Sequence, residues 1–220
     1  MSRIYISYLA WPELKDALAE AGHKMCVLGP KQAISEPIGA HPDIYMCKLG
    51  ASPKSPVFHG NEALLRPGYP AEVMYNAVVT EKFMICNVKT VSKELIAAAR
   101  SLYPDIIMIN VAQGYTKCNV VVVDDRSFIT EDKGIYNALN GIDGINVLKI
   151  GQGLVDLPVY SRGFIGGASG RIGDEVWFNG DLNRHPDAER IIELISSCGL
   201  KVRSFAGRKL TDIGSIIEEA

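Results

Sequence analysis

Pro186-Asp187-Ala188-Glu189-Arg190-Ile191-Ile192-Glu193-Leu194-Ile195-Ser196-Ser197-Cys198, then Gly199, then Leu200-Lys201-Val202-Arg203-Ser204-Phe205 and Gly207, spells an amphipathic helix, a stop and a short strand. The same phrase occurs as Pro12 to Ala21, Gly22, Lys24 to Leu28, Gly29. It occurs again as Lys93 to Leu102, Pro104, Asp105 to Val111, Gly114, and as Lys133 to Asn140, Gly141, Ile145 to Ile150, Gly153. The closing glycines are 85, 39 and 54 residues apart, so the first gap is about twice the others and predicts a degraded fifth copy near Pro70 to Asn76. A period of about 40 residues points to an array of repeated supersecondary units rather than a linear sheet.

Between successive helices the chain has room for more than one strand. Asn119 to Asp124 and Ser127 to Thr130 flank Asp125-Arg126, and Asp174 to Phe178 follows the glycine-rich stretch Phe164 to Ile172. The repeating unit therefore reads ββαβ. A doubly wound nucleotide fold has one strand per helix, all parallel, and is disfavoured. Its phosphate fingerprint is also missing, because Gly166-Gly167-Ala168-Ser169-Gly170 precedes a hairpin and not a helix. Ser92 is expected to cap one helix, Pro186-Asp187 to open another, and Gly199 to end it. The segment Lys31 to Pro70, with Pro37, Pro42, Pro53, Pro56, Pro67 and Pro70, reads as a loop-decorated unit and not as a linker. One domain is expected over residues 1–220.

Composition narrows the partners. With 220 residues, 47% apolar and 22% charged, the chain matches an ordinary globular protein. A formal net charge of −2 and no run of five like charges leave no footprint for nucleic acid or an anionic membrane. Met1 to Leu9 is neither a signal peptide nor a membrane span. Five cysteines without a CxxC pair, and four histidines with no i, i+4 pair, predict cytosolic free thiols, no metal site and no cofactor. A small-molecule ligand is the expected partner, and homo-oligomerisation is left open.

Val111-Ala112-Gln113-Gly114 and Ile150-Gly151-Gln152-Gly153 end two equivalent strands with the same Gln-Gly, either as lining of a central cavity or as plain turns. The ββαβ repeat resembles the pentein, or guanidino-group-modifying-enzyme, superfamily. So do Cys118 to Thr130, and Ile165-Gly166-Gly167-Ala168 ahead of Asp174 to Gly180. His41-Pro42-Asp43-Ile44, Gly114 to Asn119 and Phe164 to Gly170 narrow the resemblance to a bacterial branch without an assigned reaction. The resemblance implies an α/β propeller of about five ββαβ units around a pseudo-fivefold axis, with function in the central hollow.

Members of that superfamily include arginine and dimethylarginine hydrolases, agmatine deiminases, amidinotransferases and a non-catalytic ribosome anti-association factor. The enzymes attack a guanidinium carbon with a cysteine near the C-terminus, assisted by a histidine, while carboxylates hold the cation. Here Ile165-Gly166-Gly167-Ala168 has no carboxylate, and Leu210 to Ser215 has no cysteine. Cys198, in the last turn of a helix, reads as a small buried hydrophobe.

Two constellations remain: Cys118 with Asn119, and His41 with Asp43. They supply a thiol, a base and an acid, or they are the start of a buried strand and a proline turn. His185-Pro186-Asp187 repeats the tripeptide at a helix start, where capping accounts for it. Gly166, Gly167 and Ser169 could present N–H groups and a hydroxyl to an anion, or permit close strand approach. Gln113, Asn119, Gly166, Gly167, Ser169 and Ser215 are thus the candidate ligand-binding residues, and Cys118, His41 and Asp43 the catalytic candidates. The expected function is binding of a small polar ligand in the central cavity. A divergent hydrolase or amidinotransferase acting on guanidino or amide C–N bonds through Cys118 is the alternative, and a protein-interaction factor the second.

Overall fold

The computed structural model describes residues 2–31, 34 and 36–220. Within the Lys31 to Pro70 stretch, residues 32, 33 and 35 lie outside the described ones. The chain forms a mixed α/β fold with five small sheets. It runs β1 (Arg3–Ser7), α1 (Pro12–Glu20), β2 (Lys24–Leu28), α2 (Pro42–Tyr45), β3 (Met46–Lys48) and β4 (Val57–His59). Then come β5 (Val78–Val79), β6 (Phe83–Cys86), α3 (Lys93–Leu102), β7 (Ile107–Asn110), α4 (Thr116–Asn119), β8 (Val120–Val122), β9 (Ser127–Thr130), α5 (Lys133–Leu139) and β10 (Asn146–Lys149). The last part holds β11 (Ser169–Ile172), β12 (Glu175–Phe178), α6 (Ala188–Ser197), β13 (Lys201–Arg203) and β14 (Ile217–Glu219).

Three sheets, β5-β6-β7, β8-β9-β10 and β11-β12-β13, have one design: an antiparallel hairpin, then a third strand parallel to the second after a helical crossover. A helix between them is what a parallel pair requires, since two parallel strands cannot be joined by a tight turn. The sheet β14-β1-β2 repeats the design with its first strand drawn from the other end of the chain, Arg3 pairing with Glu219 and Tyr5 with Ile217. The fifth sheet is only the hairpin β3-β4, Met46 opposite His59. The degraded copy is therefore this hairpin, and Pro70 to Asn76 is a run of turns rather than a helix. The place of a crossover helix is taken by irregular chain in which Tyr75, fully buried, packs on Phe58 at 5.8 Å between ring centroids. Its hydroxyl accepts from the Asn61 N–H at 2.9 Å and donates to the Asn61 carbonyl at 3.2 Å.

The helices bury one stripe each: Leu95 and Ala99 in α3, Ala188, Ile191 and Ile195 in α6. The i, i+4 spacing places those residues one turn apart on the same face. Ser92 caps α3 through its hydroxyl, which accepts from the Glu94 N–H at 3.1 Å. Asp187 is different. It stands at the N-cap position of α6, but its carboxylate takes the Gly151 N–H at 2.8 Å and Arg190 at 2.7 Å instead of the helix's own N–H groups. No described helix is long and apolar enough to cross a membrane.

Candidate functional site

The first strand of each sheet lies beside the first strand of another: β14 beside β3, β3 beside β5, β8 beside β11, β11 beside β14. Just ahead of these strands lie Asp43, Asn76, Cys118, Gly167 and Ser215, and the segments are hydrogen-bonded in cyclic order. The Asp43 N–H donates to the Gly214 carbonyl at 3.1 Å, and the Asn76 amide donates to the Asp43 carbonyl at 3.3 Å. Asn76 Oδ1 accepts from the N–H groups of Lys117 at 2.7 Å and Cys118 at 3.2 Å. The Gly167 N–H then donates to the Cys118 carbonyl at 2.8 Å, and the Gly167 carbonyl accepts from the Ser215 N–H at 2.8 Å, closing the ring. Each backbone group is paired where water cannot reach it, as burial demands.

Local sequence explains the positions. Pro42 at the first turn of α2 suits helix geometry and holds His41 extended, at φ −79° and ψ 123°. Gly214 adopts φ +70°, and a Cβ there would collide with the His41 side chain. Ser215 follows at φ +73°, a conformation rarely adopted by residues other than glycine, which turns its hydroxyl toward Asp43. Gly167 has to be glycine for space, because a Cβ would overlap the Asp212 carboxyl.

Cys118 Sγ lies 3.0 Å from Asp43 Oδ2, which also accepts from Ser215 Oγ at 2.8 Å. One ligating atom from each of His41, Asp43 and Cys118 lies within 4.8 Å of the others, although Asp43 and Cys118 are 75 residues apart. His41 Nδ1 is 3.8 Å from Asp212 Oδ1, and all four residues are buried. Asp212 itself is anchored by the N–H groups of Phe164 and Gly214, each at 2.9 Å. On the far side of Asp43, Lys117 directs its ammonium to Ser215 Oγ at 3.0 Å, the Gly166 carbonyl at 3.2 Å and the Val120 carbonyl at 3.4 Å.

A pocket of about 240 Å³ opens onto this cluster, lined by His41, Tyr115, Cys118, Arg162, Phe164 and Asp212 among others. Tyr115 and Phe164 line it with ring centroids 6.4 Å apart, and Tyr69, 6.3 Å from Tyr115, lines a neighbouring surface hollow. The Tyr115 hydroxyl is bonded to the buried Glu72. At the opposite end of the ring is a smaller, largely apolar cavity of about 50 Å³ reached by Lys48, Lys117 and Arg171.

Burial dominates the protonation of the cluster. It pushes His41 down to about 4, outweighing the pull of Asp43, so the imidazole is neutral and its contact with Asp212 is not a charged pair. It pushes Asp212 up to about 7, with Asp43 adding to the rise. The Cys118 thiol is raised well above its usual value by burial and then by Asp43 and Asp212, so it is a thiol and not a thiolate at neutral pH. Lys117 is lowered by burial against the opposing effect of Asp43.

The remaining sequence candidates are distributed as follows. Asn119 donates its amide to the Tyr115 carbonyl at 2.9 Å, and Ser169, fully buried, donates to the Gly166 carbonyl at 3.3 Å. Gly166 and Gly167 lie in the ring with their carbonyls occupied, and Gln113 accepts the Tyr115 N–H at 3.0 Å beside a separate surface hollow. Gln152 is unlike Gln113: its amide donates to the Glu131 carbonyl at 2.7 Å. Asn76, Lys117, Asp212 and Glu72 were not singled out from sequence. For the ring residues the available signal is position, since Asp43, Asn76, Cys118, Gly167 and Ser215 each precede a first strand by two or three residues.

The mixed α/β fold of small sheets is similar to that of a solved guanidino-modifying enzyme. Agmatine deiminase of C. jejuni, a cysteine-to-serine variant with substrate bound, is similar over 99% of this chain and 92% of that one, at 12% identity and a TM-score of 0.50. A second structure of C. jejuni agmatine deiminase matches 92% of this chain and 86% of its own, at 13% identity and a TM-score of 0.44. SxtG, an amidinotransferase of Microseira wollei from the saxitoxin biosynthetic pathway, matches 88% of this chain and 55% of its own, at 14% identity and a TM-score of 0.35. Residues 54–217 match the family of unknown function DUF6873, and the chain belongs to that family. No curated protein sequence matches it.

Proposed function

We propose that the chain is a single pentein domain over residues 1–220, an α/β propeller of five units about a pseudo-fivefold axis, and that it binds a compact, positively charged polar ligand in the pocket at one end of that axis. The five small sheets and the cyclic hydrogen bonding support the propeller. The observation that carries the ligand class is the pairing of two buried acidic side chains, Asp43 and Asp212, around a neutral His41 and an un-ionised Cys118. Lys117 is the one cation bonded into this cluster among the described residues, and it lines the other cavity, not this pocket. A planar amidinium or guanidinium supplies the missing charge and can be held by a carboxylate through two parallel hydrogen bonds. The aromatic pair of Tyr115 and Phe164 in the pocket lining suits the flat face of such a group. Five free cysteines support residence in the cytoplasm.

Thermal shift against arginine, agmatine and related guanidino compounds tests this. At about 100 times its dissociation constant a ligand stabilises by roughly 2.7 kcal/mol. The gain should increase from pH 6 to pH 8 as Asp212 ionises through about 7, and should vanish in Asp212→Asn. A flat response across guanidino compounds at pH 8 rejects the ligand class.

The proximity of Cys118, His41 and Asp43 favours a second reading, cleavage of a guanidino or amide C–N bond with Cys118 as nucleophile and His41 as base. A bound cation beside Cys118 would offset the acidic neighbours that keep the thiol protonated. Turnover that survives Cys118→Ser removes that reading.

A further inference from the structure

The cluster at the pocket floor has two buried atoms with no hydrogen-bond partner, His41 Nε2 and Asp43 Oδ1. Both residues are 1% exposed. Orphaned polar atoms at such depth are uncommon and call for a physical reason. Here they belong to side chains of ligating type, and the third member, Cys118, brings a sulfur to the same place.

We propose that His41, Asp43 and Cys118 form a site for a divalent ion of the zinc type, with an open coordination position facing the pocket. One nitrogen, one sulfur and one oxygen donor suit a borderline-soft ion, whereas magnesium and calcium take oxygen donors. Donor atoms around one zinc lie roughly 3–4 Å apart, given bonds of about 2.0–2.3 Å. One ligating atom of each residue already lies within 4.8 Å of the others, so side-chain shifts on the order of 1 Å gather a donor set.

The outer partners fit the same geometry. Asp212 Oδ1 stands 3.8 Å from His41 Nδ1, on the side of the ring away from the orphaned Nε2. A carboxylate behind a ligating imidazole fixes its tautomer and orientation. Ser215 Oγ at 2.8 Å holds Asp43 Oδ2, leaving Oδ1 free to ligate. Lys117 bonds to two carbonyls and Ser215, on the side opposite the pocket. His41 and Cys118 both line the 240 Å³ pocket, which gives the ion its path and a fourth position for water or ligand. Three protein donors with one open position is the pattern of reactive rather than purely structural zinc sites. On binding, the Cys118 proton is released to solvent and the thiolate sulfur takes the metal, with no change of oxidation state.

Sequence spacing conceals this site, because the donors come from two segments that join only through the ring. The inference does not require that the pocket take a guanidino ligand. It does imply that a metal-loaded Cys118 is unavailable as a nucleophile, so the metal and the thiol-attack reading exclude each other in one molecule.

The test is titration of chelator-treated, reduced full-length protein with Co²⁺ and Zn²⁺, with no organic ligand present. Expected are one ion per chain, a thiolate-to-cobalt charge-transfer band, displacement of cobalt by zinc, and protection of Cys118 from alkylation by Zn²⁺. Cys118→Ser should abolish the band, Cys47→Ser should retain it, and Asp212→Asn should weaken affinity about 10–100-fold as an orienting group. The wild-type spectrum alone is decisive if variants misfold: no thiolate band at stoichiometric cobalt overturns the site. A band that persists in Cys118→Ser also overturns it. Guanidino thermal shifts measured in chelator report on the ligand proposal separately, so the two can fail independently.

Discussion

The sheets β5-β6-β7 and β3-β4 both begin with an antiparallel hairpin but are completed differently. The first keeps its crossover helix α3, with a hydroxyl cap at Ser92 and a buried stripe of Leu95 and Ala99. The second has no crossover helix; Tyr75 fills part of its place, and the segment leading into β3 supplies His41 and Asp43. Regular units bury apolar stripes by periodicity, whereas the irregular unit is held by individual plugs and places polar side chains at the axis. The site draws on both kinds of unit, since Cys118 and Lys117 come from the segment leading into β8 of a regular sheet, and Asp212 and Ser215 from the one leading into β14.

Four experiments would break or sharpen that contrast. The largest effect is expected from removing the plug: Tyr75→Ala should cost about 3–5 kcal/mol and abolish ligand or metal binding, while Ile195→Ala in α6 should cost about 2–5 kcal/mol and leave binding intact in the folded fraction. Denaturant midpoints paired with binding titrations decide it, and equal loss of binding in both variants dissolves the distinction.

Next, Gly214→Ala should cost about 1–3 kcal/mol, because φ +70° disfavours a side chain and the new Cβ meets His41. A variant with wild-type stability would show that the ring tolerates displacement of His41.

The pH dependence separates the irregular unit from the segment before β14. His41, lowered from 6.5 to about 4, binds its proton less well folded than unfolded, so its contribution to stability is lost as pH falls through that window. Asp212, raised from 3.8 to about 7, keeps a proton that the unfolded chain has released, so its contribution is lost as pH rises. The two slopes oppose each other between about pH 4 and 6.5, and wild-type stability should be nearly flat there. Asp212→Asn should leave a curve rising with pH, and His41→Gln a falling one, each by up to about 1.4 kcal/mol per pH unit. Parallel curves for both variants would mean that neither group titrates as its burial requires.

The smallest effect is Ser92→Ala, about 1 kcal/mol from loss of the α3 cap, with binding unchanged. Any change in ligand affinity would show that the regular units are not insulated from the axis.

The parts of the fold visible in sequence are those with local causes. Helices α1, α3, α5 and α6 followed from amphipathic stretches and their glycine or proline stops, which are neighbours in the chain. The doubled glycine spacing points to a degraded unit near Pro70 to Asn76, whereas the incomplete unit's hairpin lies well upstream, at residues 46–59. Cys118, His41 and Asp43 stood out by residue type, but their juxtaposition depends on the ring and has no signature in spacing. Asp212 has no local signature either: its carboxylate meets His41 and the Phe164 N–H only once distant segments are brought together. Asn76 and Lys117 act through backbone and carbonyl contacts that only a closed ring creates.

The pairing of Arg3 with Glu219 joins positions 216 residues apart and has a temporal consequence. During synthesis, β1 stays without its antiparallel neighbour until residues 217–219 leave the ribosome. Ser215 and Asp212 lie immediately upstream of that late strand, so the pocket floor is completed in the same final step. Closing so long a loop is slow, and contacts of this kind lower folding rates. Emergence of β14, rather than formation of any one repeat, therefore sets the earliest moment at which the centre is complete.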